Sequence, residues 1–447
     1  MHRSQQPSAL AQFEALSQWL RDALTEGEDF CLGYSGEASD FIRFNQAKVR
    51  QAGHVQQASL DLQLIRDGRH AELQLTLSGV PQLDRQRLGS ALEQLRQTLP
   101  LLQPDPYLLL NRDAWHSHSV QLQPLPDCAA VLEQIGRAAQ GLDLVGFYAA
   151  GPISRGFASS AGAFGWHQAS SFNFDWSLFH ANGQAVKAQY AGQHWHADAF
   201  ALRMQQARAQ LEYLGLPPRT LAPGGYRAYL APAALQEIVE LLGWGGFSAQ
   251  ALAEKDSPLQ RLHAGAARLS PLLHLQEQVR DSLTPGFSSE GYPRRDLQLI
   301  NAGQPQEQLV SSRSAAEYGL PANGASPWES PASLVMAGGE LEQTELLARL
   351  GNGLYIGNLW YLNYSDRPAA RMTGMTRFAS FWVEDGQIQA PLASMRFDDS
   401  LYDLLGSQLE GLTRERELSL STSTYHQRHN GSTLLPGALL SRLTLTL

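Results

Sequence analysis

The sequence predicts an α+β fold, with N-terminal α/β modules built on antiparallel sheets and a larger β-rich C-terminal domain. Three observations carry that prediction. Two pairs of strand-like runs are joined by Asp67-Gly68 and by Asn182-Gly183, both of which read as hairpin turns. Segments of helical period stand between the strands without a regular βαβα alternation. Towards the C-terminus strand-like runs dominate: LYIGNLWYLNYS, TRFASFWVEDGQIQAP and LLSRLTLTL. A length of 447 residues predicts about three domains, which the pattern places at residues 1–105, 106–220 and 221–447.

The first segment opens on a helix, because Leu10, Phe13, Leu16, Leu20 and Leu24 recur at helical spacing. Charge interrupts that run, so it lacks the unbroken apolar core of a secretory leader. A strand follows over 40–51. Leu60, Leu62 and Leu64 then alternate with polar residues up to Asp67-Gly68, and Leu73, Leu75 and Leu77 alternate after it. Residues 82–99 return to helical period. The stretch LLQPDPY, with two prolines and no period, marks a boundary.

In the second segment VLEQIGRAAQGL reads as a helix and LDLVGFYAAGP as a buried strand. Phe172, Phe174, Trp176 and Leu178 give the next strand an apolar face. A helix runs from Ala199 through Leu216, and LPPRTLAPGG reads as a linker. The third segment begins with the strand YRAYLA and the helix PAALQEIVELLGW.

Composition sets limits on function. Hydrophobic residues make up 43% of the chain and charged residues 17%, which describes a soluble globular protein. Lys+Arg 34 against Asp+Glu 43 gives a net charge of -9 and argues against a nucleic-acid partner. No apolar run is long enough to span a membrane. Cys31 and Cys128 lie far apart without a CxxC spacing, which points to a reducing compartment. The expected location is cytoplasmic.

Motifs for nucleotide or serine chemistry are missing. The glycines of GNGLYIG fit neither a dinucleotide fingerprint nor a P-loop, and no G-x-S-x-G elbow occurs. Among the histidines, His194 and His196 in HWH would share one face if they lay on a strand, an acceptable start for a metal site. With a two-residue turn at Asn182-Gly183 they would stand opposite Ser171 and Ala169. The nearest carboxylate on that face, Asp175, is then ~13 Å away from Ser171 along the strand. Asp198 reads as the cap of the following helix. His116 and His118 repeat the spacing with less support, His426 and His429 lie in a polar loop, and His167, His180, His263 and His274 are isolated. The segment SSEGYPRRDLQLINAGQ is harder to explain by packing. There Glu290 is expected to pair with Arg294 or Arg295, and Gly291 to allow a turn.

This segment resembles the TldD/PmbA family, in which an acidic EG-x-P stretch leads into LI-x-x-G. Glu290, Gly291, Pro293, Leu299, Ile300 and Gly303 fit that pattern. Flanking segments agree in order: SGEASDFIRFNQAKVRQ, GYRAYLAPAAL, AGGELEQTELLARLGNGLYIGNL and FASFWVEDGQIQAPL. Catalytic members are metallopeptidases whose central helix carries H-E-x-x-x-H, with a C-terminal cysteine as third ligand. Two imidazoles grip zinc there, and the glutamate activates its water. At the corresponding places this chain has Gly243, Trp244 and Ser248, and near the C-terminus Tyr425, His426 and Arg428.

The resemblance therefore implies a TldE/PmbA-type subunit with a vacated metal position, no cofactor of its own and zinc only in a TldD-type partner. Its implied role is to enclose unfolded peptides entering as extended strands, including modified antibiotic peptides in some members. A homodimer is plausible without the partner. Glu290, Tyr292, Arg294, Arg295, His426 and Arg428 are the candidates for lining the peptide cavity. Two other readings stand beside this one: a divergent hydrolase using His194 and His196 or His426 and His429, and a peptide-binding scaffold without a peptidase partner.

Overall fold

The computed structural model describes residues 8–446; the first seven residues of the stretch read above as unlike a secretory leader lie outside them. In the N-terminal half the elements run α1 (Ala9–Ala23), β1 (Asp29–Asn45), β2 (Lys48–Arg66), β3 (Arg69–Thr76), α2 (Pro81–Thr98), β4 (His116–Gln121), α3 (Cys128–Ala138), β5 (Asp143–Ser159), β6 (Phe164–Phe179), β7 (Ala185–Gly192) and α4 (Ala197–Tyr213). Local chemistry explains the helix starts. Ser8 caps α1 by accepting from Ala11 N at 3.2 Å. Pro81 opens α2. The buried Asp84 carboxylate accepts from Ser78 N and Gly79 N, and from Gln12 Nε2 of α1, so it ties the two helices together.

Residues 40–51 do not form a single strand. The chain reverses at Gln46-Ala47, whose φ values of 51° and 56° describe a two-residue turn. Neither residue favours positive φ. The long β1–β2 ladder on one side of the turn, and the bond from Ala47 N to Leu144 O at 2.9 Å, hold it there. Asp67-Gly68 does turn between paired Arg66 and Arg69. At Asn182-Gly183 the loop has three residues, because Phe179 pairs with Ala185 and His180 N donates to Gln184 O. Every partner on β7 is thereby shifted by one from the two-residue expectation.

These strands make one seven-stranded sheet in the order β3-β2-β1-β5-β6-β4, with β7 also on β6. It runs unbroken across residue 105, since β1 pairs with β5 over most of its length. Side chains alternate between its faces. Phe30, Leu32 and Tyr34 meet α1 and α2, while Ile42, Tyr148, Phe174 and Trp176 meet α3 and α4. The other face carries Cys31, Ser35, Asp61, Gln63, Arg155 and His167, and it fronts a cavity.

The C-terminal half runs β8 (Gly224–Leu230), α5 (Pro232–Leu242), α6 (Ala249–Ala253), α7 (Gln260–His263), β9 (Leu275–Glu277), β10 (Leu297–Asn301), β11 (Gln304–Pro305), α8 (Ser312–Tyr318), β12 (Ser333–Met336), α9 (Leu346–Leu350), β13 (Gly353–Asp366), β14 (Arg371–Glu384), β15 (Gln387–Pro391), β16 (Arg396–Ser400), β17 (Leu409–Leu420) and β18 (Ser432–Leu445). Strands β8, β13, β14, β16 and β18 pair in a closed ring within an eleven-stranded sheet. Helix α5 packs on β13 and β18, and Leu235, Ile238, Val239 and Leu242 are fully enclosed in the main core. The architecture is α+β, with an N-terminal sheet module and a larger C-terminal sheet domain.

Candidate functional site

The segment that resembles the family's metal helix is α5 with the turn that leads from it into α6. The helix stops at Leu242, and Gly243 is its C-cap. Trp244, Gly245 and Gly246 form a break, with Gly245 at φ 83°. Helix resumes only at Ala249. Ser248 is the N-cap of α6, accepting from Ala251 N at 3.0 Å and donating to Glu329. Gly243 and Ser248 therefore sit at the ends of two different helices, and Trp244 is 59% exposed. Glycine, tryptophan and an engaged serine hydroxyl do not fit zinc. Among the described residues no group of three His, Cys, Asp or Glu side chains could hold a metal.

Glu329 is the centre of this region. It is buried, with φ 49°, and accepts from Gln250 N at 2.9 Å, Ser311 N at 2.8 Å and Ser311 Oγ at 2.9 Å, besides Ser248. One carboxylate thus caps both α6 and α8. Burial pulls its pKa up, but the bonds from Ser248 and Ser311 outweigh that and the net direction is down.

A cavity of about 960 Å³ lies between the polar face of the N-terminal sheet and the C-terminal domain. Glu290, Arg294 and Arg295 line it, whereas Tyr292, His426, Arg428, Gly243, Trp244 and Ser248 do not. The expected pairing of Glu290 with a neighbouring arginine is corrected. Glu290 accepts from Ser312 N at 3.0 Å and Ser312 Oγ at 2.7 Å, Arg294 pairs with Glu277, and Arg295 pairs with Glu307. The turn aims Glu290 at the start of α8, away from both arginines' partners. Gly291 makes this possible: its φ is 79°, and a Cβ there would lie 2.4 Å from the Phe157 ring. Its carbonyl accepts from Asn111 Nδ2 at 2.7 Å and Trp115 Nε1 at 2.8 Å. Tyr292 is pushed up to about 12 by burial and then by Glu290.

Glu277 is buried and accepts from Ala332 N and Ser333 N as well as from Arg294. Burial draws Glu277 up and Arg294 down, against their mutual attraction.

The C-terminal loop is fastened to the N-terminal sheet by Arg428. Its guanidinium donates to Ser39 Oγ at 3.0 Å, Ser171 Oγ at 3.0 Å and Ser171 O at 3.2 Å, and its backbone N donates to Glu37 at 2.9 Å. The carbonyl of His426, a residue at φ 63°, accepts from Gln57 Nε2 at 2.7 Å. His429 does reach the cavity wall.

His194 and His196 are not on a strand. β7 ends at Gly192, His196 is the N-cap residue of α4, and both side chains are exposed. Asp198 lies inside the first turn and is not the cap. The facing register expected with Ser171 and Ala169 does not occur. His116 and His118 lie on β4, which runs parallel to β6.

The sequence did not single out Glu277, Glu329 or Arg155, and it left His167 as an isolated histidine. Arg155 had left a trace, as a charge inside the otherwise small and apolar run AAGPISRGFAS.

Residues 223–447 match the family described as PmbA/TldA metallopeptidase C-terminal domain. The metalloprotease PmbA homolog of Haemophilus influenzae is 33% identical over 156 residues, 33% of this chain and 32% of that relative. The match thus spans about a third of the relative's length. TldE from Thermococcus kodakarensis superposes with a TM-score of 0.78 at 13% identity, over 98% of this chain and all 100% of its own. A proposed modulator of DNA gyrase from Bacteroides thetaiotaomicron gives 0.74 at 15%, over 97% and 98%. One from Thermotoga maritima gives 0.72 at 13%, over 98% and 100%. At such identities the likeness is one of fold.

Proposed function

The chain belongs to the PmbA/TldD family of metallopeptidase-related proteins, and from that premise we propose that it is a metal-free, non-catalytic subunit of TldE/PmbA type. In this reading it encloses unfolded peptides beside a zinc-bearing TldD-type partner, which supplies the electrophile and the activated water. One observation carries the reading. The positions that resemble the metal motif hold Gly243, Trp244 and Ser248, and the helix that should align them is broken after Leu242.

Supporting it, the chain has a cavity of ligand-binding size, about 960 Å³, lined by both halves of the fold. Cys31 and Cys128 are both free thiols, which fits a cytoplasmic setting. No helix among the described residues is long and apolar enough to cross a membrane.

The test is elemental analysis of tag-free protein together with a peptidase assay, alone and with a TldD-type chain. The expected result is zinc well below one ion per chain and cleavage only in the mixture. One tightly held zinc per chain with partner-free cleavage would overturn the reading.

A further inference from the structure

We propose that Arg155, with His167 and His429 beside it, forms a carboxylate-binding subsite on the floor of the cavity, taking the C-terminal carboxylate of a short extended peptide. The inference rests on the peptide reading above and deepens it. Arg155 stands on the cavity face of β5, directly across from Ser35 on β1 and His167 on β6. Its guanidinium is fixed by carbonyls alone. Nη1 donates to Ser154 O at 2.8 Å and Gly36 O at 3.5 Å, and Nη2 donates to Arg428 O at 3.2 Å. The other arginines lining the cavity are already neutralised, Arg294 by Glu277, Arg295 by Glu307 and Arg313 by Asp105. Among the described residues, Arg155 is the cavity arginine left without a carboxylate partner.

The acids whose field reaches Arg155 are Glu37 and Asp61. Both are committed elsewhere: Glu37 accepts from Gln57 Nε2 and Arg428 N, and Asp61 from Gln74 Nε2. Burial lowers the pKa of Arg155, and the fields of Glu37 and Asp61 oppose that shift without offsetting it. Both imidazoles are held down by burial and by Arg155, and each has a fixed partner, Leu283 O for His167 and Ser421 Oγ for His429. Of the three side chains, the guanidinium therefore carries the positive charge. A guanidinium held open in this way matches a carboxylate, and a cavity of this size admits the end of a chain.

Three fluorescent pentapeptides of one sequence distinguish the possible sources of that carboxylate: a free acid, its C-terminal amide, and the amide with an internal glutamate. Their affinities for the full chain are read by anisotropy. The free acid is expected to bind about tenfold tighter than the amide, as for one charge-assisted pair. Arg155→Gln should erase that difference, and Arg155→Lys should keep part of it. Recovery of affinity by the glutamate peptide would overturn the assignment to a chain terminus. Equal binding of acid and amide by the wild-type chain, a comparison independent of any variant's folding, would sink the subsite and leave the peptide reading standing. Failure of all three to bind would remove both.

Discussion

Replacing Glu329 by Gln tests whether one carboxylate holds the starts of α6 and α8 in shape. Glu329 receives donors from Ser248 Oγ, Gln250 N, Ser311 N and Ser311 Oγ. An amide of the same shape has a single acceptor oxygen, so its NH2 must face the N–H of Gln250 or of Ser311. One buried N–H left unmade costs ~1–3 kcal/mol. Weakening of the remaining charge-assisted bonds adds ~1 kcal/mol, for a total of ~3 kcal/mol. Spread over the unfolding entropy of a chain this long, that lowers Tm by roughly 3 °C. Scanning calorimetry reads the shift, and hydrogen exchange at Gln250 and Ser311 locates it. The exposed Glu240→Gln, with the same charge change, serves as the control.

The pH dependence gives a second check. The folded pKa of Glu329 lies below its reference value of 4.5. Its contribution is therefore full above pH 4.5 and fades as the pH falls through the folded pKa. The gap between wild type and E329Q should close in acid. A variant with unchanged Tm and unchanged exchange at neutral pH would refute the double cap.

Further outcomes are expected. Arg96 holds buried Glu28 down to about 2, against a reference of 4.5; the pair contributes ~3 kcal/mol above pH 4.5, lost as the pH falls towards 2. Acid titration of E28Q by circular dichroism should show no such slope. Arg428→Ala strips the loop of its bonds to Ser39 and Ser171 and should cost ~3 kcal/mol, with faster proteolysis beside Tyr425, which is 80% exposed. Replacing His194 and His196 together by Ala should move Tm by less than ~1 °C and leave peptidase activity of an assembled pair unaltered. Loss of that activity without unfolding would revive a histidine site.

Much of the architecture was legible because it rests on local patterning. Leu60, Leu62 and Leu64 alternate and are buried, Asp-Gly turns where it should, and the apolar PAALQEIVELL is a core helix. Gln46-Ala47 was not legible, because neither residue advertises positive φ and the turn is imposed by ladder pairing. Nor could a two-residue be told from a three-residue loop at Asn182-Gly183, since Asn-Gly serves both. In the cavity, Glu290 was found, but its partner Ser312 lies on another element. Arg155 and His167 meet only through strand register, which pairs residues no local motif connects.

The interruption after Leu242 has a consequence for redesign. Imidazoles grafted at 243 and 248 would hang from separate scaffolds, with a non-helical turn between them and an anionic clamp already gripping the second. Placing a hydrolytic metal on this polypeptide would thus require rebuilding main chain, and swapping three side chains would fall short.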